Sequence, residues 1–343
     1  MRISPHPLRL LATLLTLGAS VLLLAACGSD DGDGEAEVTG DAELTVYSGR
    51  DEELVGPVIA DADAETEVRY GDSAPLASTI VEEGDNSPAD VFFSQDAGAL
   101  GALDDRDLLE PLPRRILNRV PEELRAEDGT WVGVTGRARV IAYGPEVERA
   151  ELPDSPLALV EPEWTGRVGW APANASLQAY VTAVREELGE DVAREWLEGM
   201  VANDTQAYEN NTAVRDAIAN GEIDVGLVNH YYVAQAQAEL GPDYPVEVYF
   251  PPEGLGSLIN VAGVGILQSS DDKQAALDFI EYLLSRDAQQ YFVDETKEYP
   301  LIDGLEPDPE LVPIRRIPAP GIDLGRLDDL EGTLALMRET GAL

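Results

Sequence analysis

Short apolar runs alternate with amphipathic segments along the first third of the chain. The alternation of polar and apolar residues predicts strands over residues 43–48, 66–70 and 89–93. Each is followed by a segment of helical periodicity, over residues 51–63, 75–83 and 97–103. Strands that alternate with helices predict an α/β fold with a parallel sheet and right-handed crossovers.

The remainder of the chain continues this pattern after a region rich in Pro and Arg. Residues 111–129 predict a loop with a short helix. Two longer strands follow, over residues 131–134 and 137–143, and are candidates for a crossing between two lobes. Further strands are predicted over residues 167–170, 223–228 and 258–267, and helices over residues 177–188, 192–201, 213–219, 233–240, 276–284 and 326–340.

Two adjacent tyrosines, Tyr231 and Tyr232, stand between the predicted strand 223–228 and the predicted helix 233–240. The end of a strand is where an open α/β sheet holds its ligands. Neighbouring side chains on a regular helix do not face each other, so we expect the backbone to bend at residues 229–232 if both phenols are to meet one ion. His230, which directly precedes the tyrosine pair, is expected to turn toward the body of the protein.

The first 26 residues have the composition of an export signal. Arg2 and Arg9 precede an apolar run that ends in small residues before Cys27, the single cysteine. This segment resembles a bacterial lipoprotein signal, in which cleavage before Cys27 leaves a lipid on its thiol. An uncleaved anchor is the alternative, because the apolar run, at roughly 17 residues, is near the short end of a membrane span. Residues 28–40 include five acidic residues and predict a flexible tether.

The charge of the chain is strongly negative, with 66 Asp and Glu against 23 Lys and Arg. Such a surface repels nucleic acid and anionic lipid, and adaptation to a salty habitat explains it better than any ligand does. One cysteine excludes a disulfide framework and a paired-thiol metal or redox site. Because His6 lies in the signal, the mature chain has one histidine, and its metal-binding chemistry is that of oxygen.

Six segments occur in the order that is typical of one family of binding proteins. They are residues 44–50 (LTVYSGR), 83–85 with 87–93 (EGD and SPADVFF), 136–140 (GRARV), 164–169 (WTGRVG), 228–232 (VNHYY) and 298–301 (EYPL). Together they resemble the ferric-ion-binding proteins of bacterial ABC importers, also called bacterial transferrins, over about residues 43–303. Relatives that bind other small molecules share much of this pattern.

The resemblance implies a periplasmic-binding-protein type II fold, with two parallel-sheet α/β lobes joined by a strand hinge around a ligand cleft. The implied organisation is a signal peptide over residues 1–26, the lipidated cysteine and acidic linker over 27–40, lobe 1 over 41–135 plus 262–310, and lobe 2 over 136–261 plus 311–343. It further implies a monomer that is anchored by its lipid to the outer face of the cell membrane, in the periplasm if the cell has an outer membrane. Its partners would be an ABC permease and ATPase.

The resemblance also assigns candidate ligands. The family's paired tyrosines fall on Tyr231 and Tyr232. A histidine is frequent where this chain has Asp51, and a glutamate is frequent where it has Gln95, so these two are the candidate ligands from lobe 1. The family holds a small anion beside the metal, and the candidate positions for it are Arg137, Arg139, Asn174, Ser176, Asn211 and Asn229.

The chemistry of these residues is compatible with Fe(III) as the transported ligand, arriving bare or as a chelate. A free tyrosine has a pKa of about 10, so ionising it at neutral pH takes roughly 4 kcal/mol, which direct bonding to a trivalent metal can supply. Fe(III) with two phenolates carries one positive charge, and Asp51, in place of the usual histidine, would neutralise it. A bound dianion such as carbonate would then need Arg137 as its counter-charge.

Other readings of these residues remain open from the sequence. Asn174 and Ser176 also fit a helix N-cap alone, and Gln95 also fits a hydrogen bond to a water or anion, or a plain helix start. An enzyme is not expected, because no nucleophile elbow or nucleotide-binding glycine motif is present. A binding protein of the same fold for a polyamine, thiamine or a phosphonate is the main alternative, and a purely structural or adhesive lipoprotein is another.

Overall fold

The computed structural model describes residues 44–343 apart from residues 63, 242 and 320. The predicted signal peptide, the lipidation of Cys27, the linker and the first residues of lobe 1 therefore lie outside the described residues. None of the helices in the described part of the chain has both the length and the apolar character that crossing a bilayer requires.

The strands of the described residues form one twisted sheet flanked by helices. The strands are β1 (Leu44–Ser48), β2 (Thr66–Tyr70), β3 (Val91–Ser94), β4 (Leu109–Glu110), β5 (Trp131–Tyr143), β6 (Val168–Trp170), β7 (Gln206–Ala207), β8 (Val225–Asn229), β9 (Glu247–Tyr249), β10 (Ile259–Leu267) and β11 (Tyr299–Pro300). Their order is β2-β1-β3-β10-β5-β8-β6-β7, with β4 paired to β10 and with β9 and β11 paired to β5.

The helices cover the faces of this sheet. They are α1 (Glu52–Ala60), α2 (Ser73–Glu83), α3 (Ala97–Asp104), α4 (Arg114–Leu117), α5 (Ala175–Leu188), α6 (Glu190–Ala202), α7 (Asn211–Ala219), α8 (His230–Leu240), α9 (Lys273–Leu283), α10 (Arg286–Tyr291) and α11 (Leu330–Glu339).

Parallel pairing occurs at both ends of the sheet, as the strand–helix alternation predicts. β1 runs parallel to β2 and β3, and β6 runs parallel to β7 and β8. We call β1, β2 and β3 the first half-sheet, and β6, β7 and β8 the second half-sheet. β1, β3, β6 and β8 are largely buried, whereas the outer strands β2 and β7 are half-buried or exposed. Consecutive strands within each half-sheet are joined through helices, as parallel pairing requires.

The two strands predicted over residues 131–134 and 137–143 are one continuous, fully buried strand, β5. Its first part pairs antiparallel with β10 as far as Ala138, and its last part pairs antiparallel with β8 from Arg139 onward. β5 therefore connects the two half-sheets. Because side chains alternate along a strand, Arg137 and Arg139 share one face at the point where the pairing partner changes.

Each predicted helix differs from the structure by one or more residues at one end or both, and three of these differences are informative. α1 covers residues 52–60 instead of 51–63, and the last helix begins at Leu330 instead of residue 326, because the carboxylate of Asp329 caps it by accepting from Gly332 N. The helix that was expected from residue 233 begins at His230. That last difference places both tyrosines inside a helix.

Candidate functional site

Tyr231 and Tyr232 lie in the first turn of α8, directly after β8. Asn229, the N-cap residue, keeps the extended backbone of the strand (ψ 146°). Both tyrosines are buried, and their ring centres are 4.4 Å apart with planes inclined by 31°. Side chains of a helix lean toward its N-terminus, so in the first turn two adjacent rings can project past the helix end. The expectation that the pair would precede the helix is wrong, yet the two rings lie together.

The phenol oxygen of Tyr231 faces two side-chain amides. Gln95 Nε2 lies 3.1 Å from it, and Asn229 Nδ2 lies 3.5 Å from it. Amide nitrogens donate and do not accept, so the phenol oxygen accepts from both. Converging donors are the surroundings that a negatively charged oxygen prefers. The position of Tyr231 therefore suits a phenolate.

Tyr232 is the slightly more exposed member of the pair. Burial raises the pKa of Tyr232 well above its ordinary value, the charges of Tyr231 and Asp51 raise it further, and Arg50 lowers it. Asp51 is exposed at the start of α1, where its carboxylate does not cap the helix. The structure thus brings Asp51 within electrostatic reach of the tyrosines, and its role as a metal ligand stays a prediction.

A buried ion pair that the sequence analysis did not identify lies behind Gln95. Arg50 Nη2 donates to Glu298 Oε2 at 2.6 Å, and neither side chain has any exposed surface. The other terminal nitrogen, Arg50 Nη1, donates to Gln95 Oε1 at 2.8 Å. Burial lowers the pKa of Arg50, but the charge of Glu298, followed by that of Tyr231, outweighs it and raises the pKa above its ordinary value. Both partners belong to family segments, 44–50 and 298–301, but no local sequence signal relates two residues that lie 248 positions apart.

Two further arginines are buried beside the tyrosines without a carboxylate partner among the described residues. Arg137 Nε donates to Ser176 Oγ at 3.2 Å, and its Nη2 donates to the carbonyl oxygen of Gln95. Arg139 Nη2 donates to the carbonyl oxygen of Leu227 at 2.8 Å. Burial lowers the pKa of both guanidinium groups, for Arg139 to about 10. Each keeps one nitrogen without a hydrogen-bond partner, Nη1 of Arg137 and Nε of Arg139.

The remaining predicted anion positions lie in the same cluster. Ser176 Oγ accepts from Asn229 Nδ2 at 3.1 Å, as well as from Arg137. Arg139 Nη1 lies 3.4 Å from the amide oxygens of both Asn211 and Asn229, which leaves the buried Nδ2 of Asn211 unpartnered. Asn174 is half-buried and accepts from Ser176 N at 3.1 Å, as the N-cap residue of α5. The cluster is rich in donors and poor in acceptors, which is the character of an anion site.

His230 lies between the candidate residues Asn229 and Tyr231 in sequence, but its ring is directed toward Tyr299. Its ring stacks on Tyr299 with centres 4.5 Å apart, and its Nδ1 accepts from Ala138 N at 3.2 Å. Burial lowers the pKa of His230 to about 3, so the imidazole is neutral. This arrangement matches the expectation that His230 turns toward the body of the protein.

Two observations favour the tyrosine cluster over other parts of the described chain as the metal site. Among the described residues, no group of three or more His, Cys, Asp or Glu side chains is arranged to hold a metal ion. A cavity of about 910 Å³ lies between residues 121–127 and 321–324, away from the tyrosines and lined by neither of them. Phenols and amides, rather than a carboxylate cage, therefore define the candidate site.

Comparisons with known proteins place the chain in a family. Residues 86–320 match the family described as bacterial extracellular solute-binding protein. The chain is 32% identical over 318 residues to the Fe(3+)-binding periplasmic protein of Serratia marcescens, covering 90% of this chain and 94% of that protein. It is 36% identical over 294 residues to iron uptake protein A2 of Synechocystis, covering 82% and 85%.

Solved structures agree with these sequence matches. Iron-bound HitA from Pseudomonas aeruginosa superimposes with a TM-score of 0.81 at 30% identity, covering 87% of this chain and 99% of that one. The FutA protein of Trichodesmium, solved in complex with iron and citrate, superimposes with a TM-score of 0.70 at 27% identity, covering 88% and 99%. The chain belongs to the bacterial extracellular solute-binding protein family.

Family membership confirms three expectations from the sequence. The resemblance to ferric-ion-binding proteins is confirmed by the names of the relatives. The α/β fold, an open sheet with flanking helices, matches periplasmic binding protein structures, as predicted. Proteins of this family bind solutes and are not enzymes, as expected.

Proposed function

We propose that this chain binds Fe(III) between its two half-sheets, through the phenolates of Tyr231 and Tyr232, together with a small anion. The observation that carries the proposal is the buried pair of phenol rings, one of which accepts from the amides of Gln95 and Asn229. Relatives that are named as ferric-ion-binding proteins support the choice of metal. Phenolate is a hard oxygen ligand of the kind that a trivalent cation prefers.

The charges around the tyrosines support a companion anion. The charge of Arg50 is balanced by Glu298, whereas Arg137 and Arg139 are buried without a carboxylate partner among the described residues. Fe(III) with two phenolates adds one more positive charge, and uncompensated charge in a buried site is costly. A carbonate, or a larger polycarboxylate such as the citrate bound to the Trichodesmium protein, would supply the missing negative charge.

We further propose the extracytoplasmic setting that the sequence suggests. Cleavage before Cys27 and lipidation of its thiol would tether the protein to the outer face of the membrane by residues 28–40. The two lobes, 41–135 plus 262–310 and 136–261 plus 311–343, would close on the iron and present it to an ABC permease with its ATPase, the protein acting as a monomer.

The test of metal binding is optical. Purified mature protein that is mixed with a ferric chelate should turn red-orange, because electrons transfer from tyrosinate to iron. Tyr231→Phe and Tyr232→Phe should each abolish the colour, since each removes one of the two proposed ligands. Tyr143→Phe is the control, because its hydroxyl donates to Glu247 at 2.6 Å on the far part of β5. A colourless wild type, or colour that survives both substitutions, contradicts the proposal.

The role of Asp51 needs its own variant. If its carboxylate completes the metal shell in place of the usual histidine, Asp51→Ala should weaken iron binding strongly. Asp191→Ala, an exposed carboxylate in the first turn of α6, is a matched control that should leave iron binding unchanged. Equal iron affinity of Asp51→Ala and wild type, measured by competition with a ferric chelator, removes Asp51 from the shell.

The site also bears on the organic-solute alternative. Two unpaired guanidinium groups repel a cationic polyamine or thiamine, whereas a phosphonate would be attracted to them. If wild type stays colourless with iron but is thermally stabilised by a phosphonate, the alternative replaces the iron proposal.

A further inference from the structure

Gln95 has its two amide atoms in chemically defined positions. Its Oε1 lies 2.8 Å from Arg50 Nη1, and a guanidinium group has only donors, so the oxygen must face the arginine. The nitrogen, Nε2, therefore faces the phenol oxygen of Tyr231 at 3.1 Å. An amide nitrogen has no lone pair to offer a metal, and the oxygen that could bind one is already taken.

Arg50 is itself held firmly. Its Nη2 donates to Glu298, which also accepts from Thr135 Oγ1 and Thr296 Oγ1, each at 3.0 Å. The chain reaches Glu298 through a π-helical turn, Phe292–Thr296, that ends at Lys297 in the left-handed conformation (φ 58°). Such a turn is uncommon and is often found at functional sites. The carboxylate of Glu298 is thus fixed from three sides.

These residues come from different parts of the fold. Arg50 follows β1 and Gln95 follows β3, both in the first half-sheet, whereas Tyr231 follows β8 in the second half-sheet. The hydrogen bond from Gln95 to Tyr231 therefore joins the two half-sheets at the tyrosine pair. The ring of Tyr231 also lies 6.0 Å from the guanidinium carbon of Arg50.

We propose that Glu298 and Arg50 are positioning residues that turn the amide of Gln95 toward Tyr231, where it donates to the phenolate and is not a metal ligand. The proposal rests on the proposed function and deepens it. With Gln95 excluded from the shell, the protein supplies the phenolates, with Asp51 as the one further candidate. The remaining positions on iron then belong to the oxygen atoms of the bound anion.

The iron-loaded test compares Gln95→Met, the paired variant Arg50→Met with Glu298→Met, and the triple variant. Replacing both partners of a buried ion pair by apolar residues avoids an unpaired buried charge. Gln95→Met should move the phenolate-to-iron band to longer wavelength, because a phenolate without its donor gives up an electron more easily. Iron should also dissociate about tenfold to a hundredfold faster, as expected for a lost hydrogen bond to a charged group.

If Arg50 and Glu298 act on the iron band only by orienting Gln95, their effect on the band will not add to that of Gln95→Met. The paired variant should shift the band in the same direction, and the triple variant should shift it no further than Gln95→Met alone. Gln289→Met is the control, because this buried amide bonds only to backbone atoms, at Val134, Leu283 and Leu301, and its loss should leave the band in place. Tighter iron binding in the paired variant would overturn the proposal, because it would mean that Arg50 withholds a metal ligand.

An iron-free measurement separates this inference from the proposed function. The tyrosine doublet in ultraviolet resonance Raman spectra reports whether a phenol oxygen accepts or donates, and subtraction of Tyr231→Phe isolates Tyr231. Wild type should show an accepting phenol, and the paired variant should weaken that signature, because only the longer bond from Asn229 Nδ2, at 3.5 Å, remains in place. An accepting signature that is unchanged in the paired variant overturns the inference even if iron binds. Absence of the iron band in wild type overturns the proposed function while the Raman result still decides the orientation of Gln95.

Discussion

The buried ion pair between Arg50 and Glu298 leads to a quantitative prediction about the free energy of unfolding. Glu298→Gln preserves the shape of the side chain but removes its charge, and it leaves a guanidinium group with no exposed surface facing a neutral amide. Removing one partner of a buried ion pair costs about 3–5 kcal/mol, because the other charge stays buried without compensation. The glutamine oxygen can still accept from Thr135 or Thr296, so we expect the lower end, about 3 kcal/mol.

The expected effect is measurable by thermal unfolding at neutral pH. The entropy of unfolding is about 2.1 cal/mol/K per residue, so about 300 folded residues give a shift of about 1.6 °C per kcal/mol, and Glu298→Gln should lower Tm by about 5 °C. Adding Arg50→Met should recover most of the loss, because it removes the stranded charge. Glu339→Gln is the control, since its pair with Arg194 is well exposed at 3.0 Å and should be worth at most about 1 kcal/mol.

Two results would refute this reasoning. A loss in Tm no larger than that of Glu339→Gln would mean that water or a rearranged side chain compensates Arg50. A double variant that is less stable than Glu298→Gln would mean that Arg50 stabilises the fold by packing and by its bond to Gln95, and not through its charge pair.

The remaining predictions concern pH and close packing. His230 has a folded pKa near 3 against an ordinary value of 6.5, so the unfolded chain binds a proton between these values and the folded protein does not. Stability should therefore fall on acidification through this window, by up to about 1.4 kcal/mol per pH unit, and His230→Asn should flatten that part of the profile in denaturant titrations; equal slopes would contradict it. A methyl group at Gly98 would stand 2.6 Å from the carbonyl oxygen of Leu327, so Gly98→Ala should cost about 1–3 kcal/mol. Gly321→Ala, which would meet nothing within 4 Å, should be nearly neutral, and similar losses for both would show that packing at Gly98 is not the cause.

Local patterns predicted the elements but not all of their limits. The strand–helix alternation predicted the parallel pairing of β1, β2 and β3 and of β6 and β8, because buried parallel strands and their crossover helices have distinct hydrophobic periods. The break expected between residues 134 and 137 is absent, since Thr135 and Gly136 are paired within β5 on both sides. Pairing partners that are distant in sequence overrode the local signal there.

The sequence by itself determined that the two tyrosines follow an apolar strand, that Arg137 and Arg139 stand two positions apart in the earlier predicted strand 137–143, and that the segments follow the order of one family. The first two features depend on spacing over a few residues, which periodicity predicts, whereas the order of the segments rests on the resemblance to the family. Only the tertiary structure decided that Arg50 meets Glu298, 248 positions away, and that Gln95 turns its nitrogen to Tyr231. No local period relates such residues, because their contact depends on how the half-sheets, the π-helical turn and α8 come together. The sequence therefore identifies the candidate ligands, and only the fold determines how the amide of Gln95 is oriented toward them.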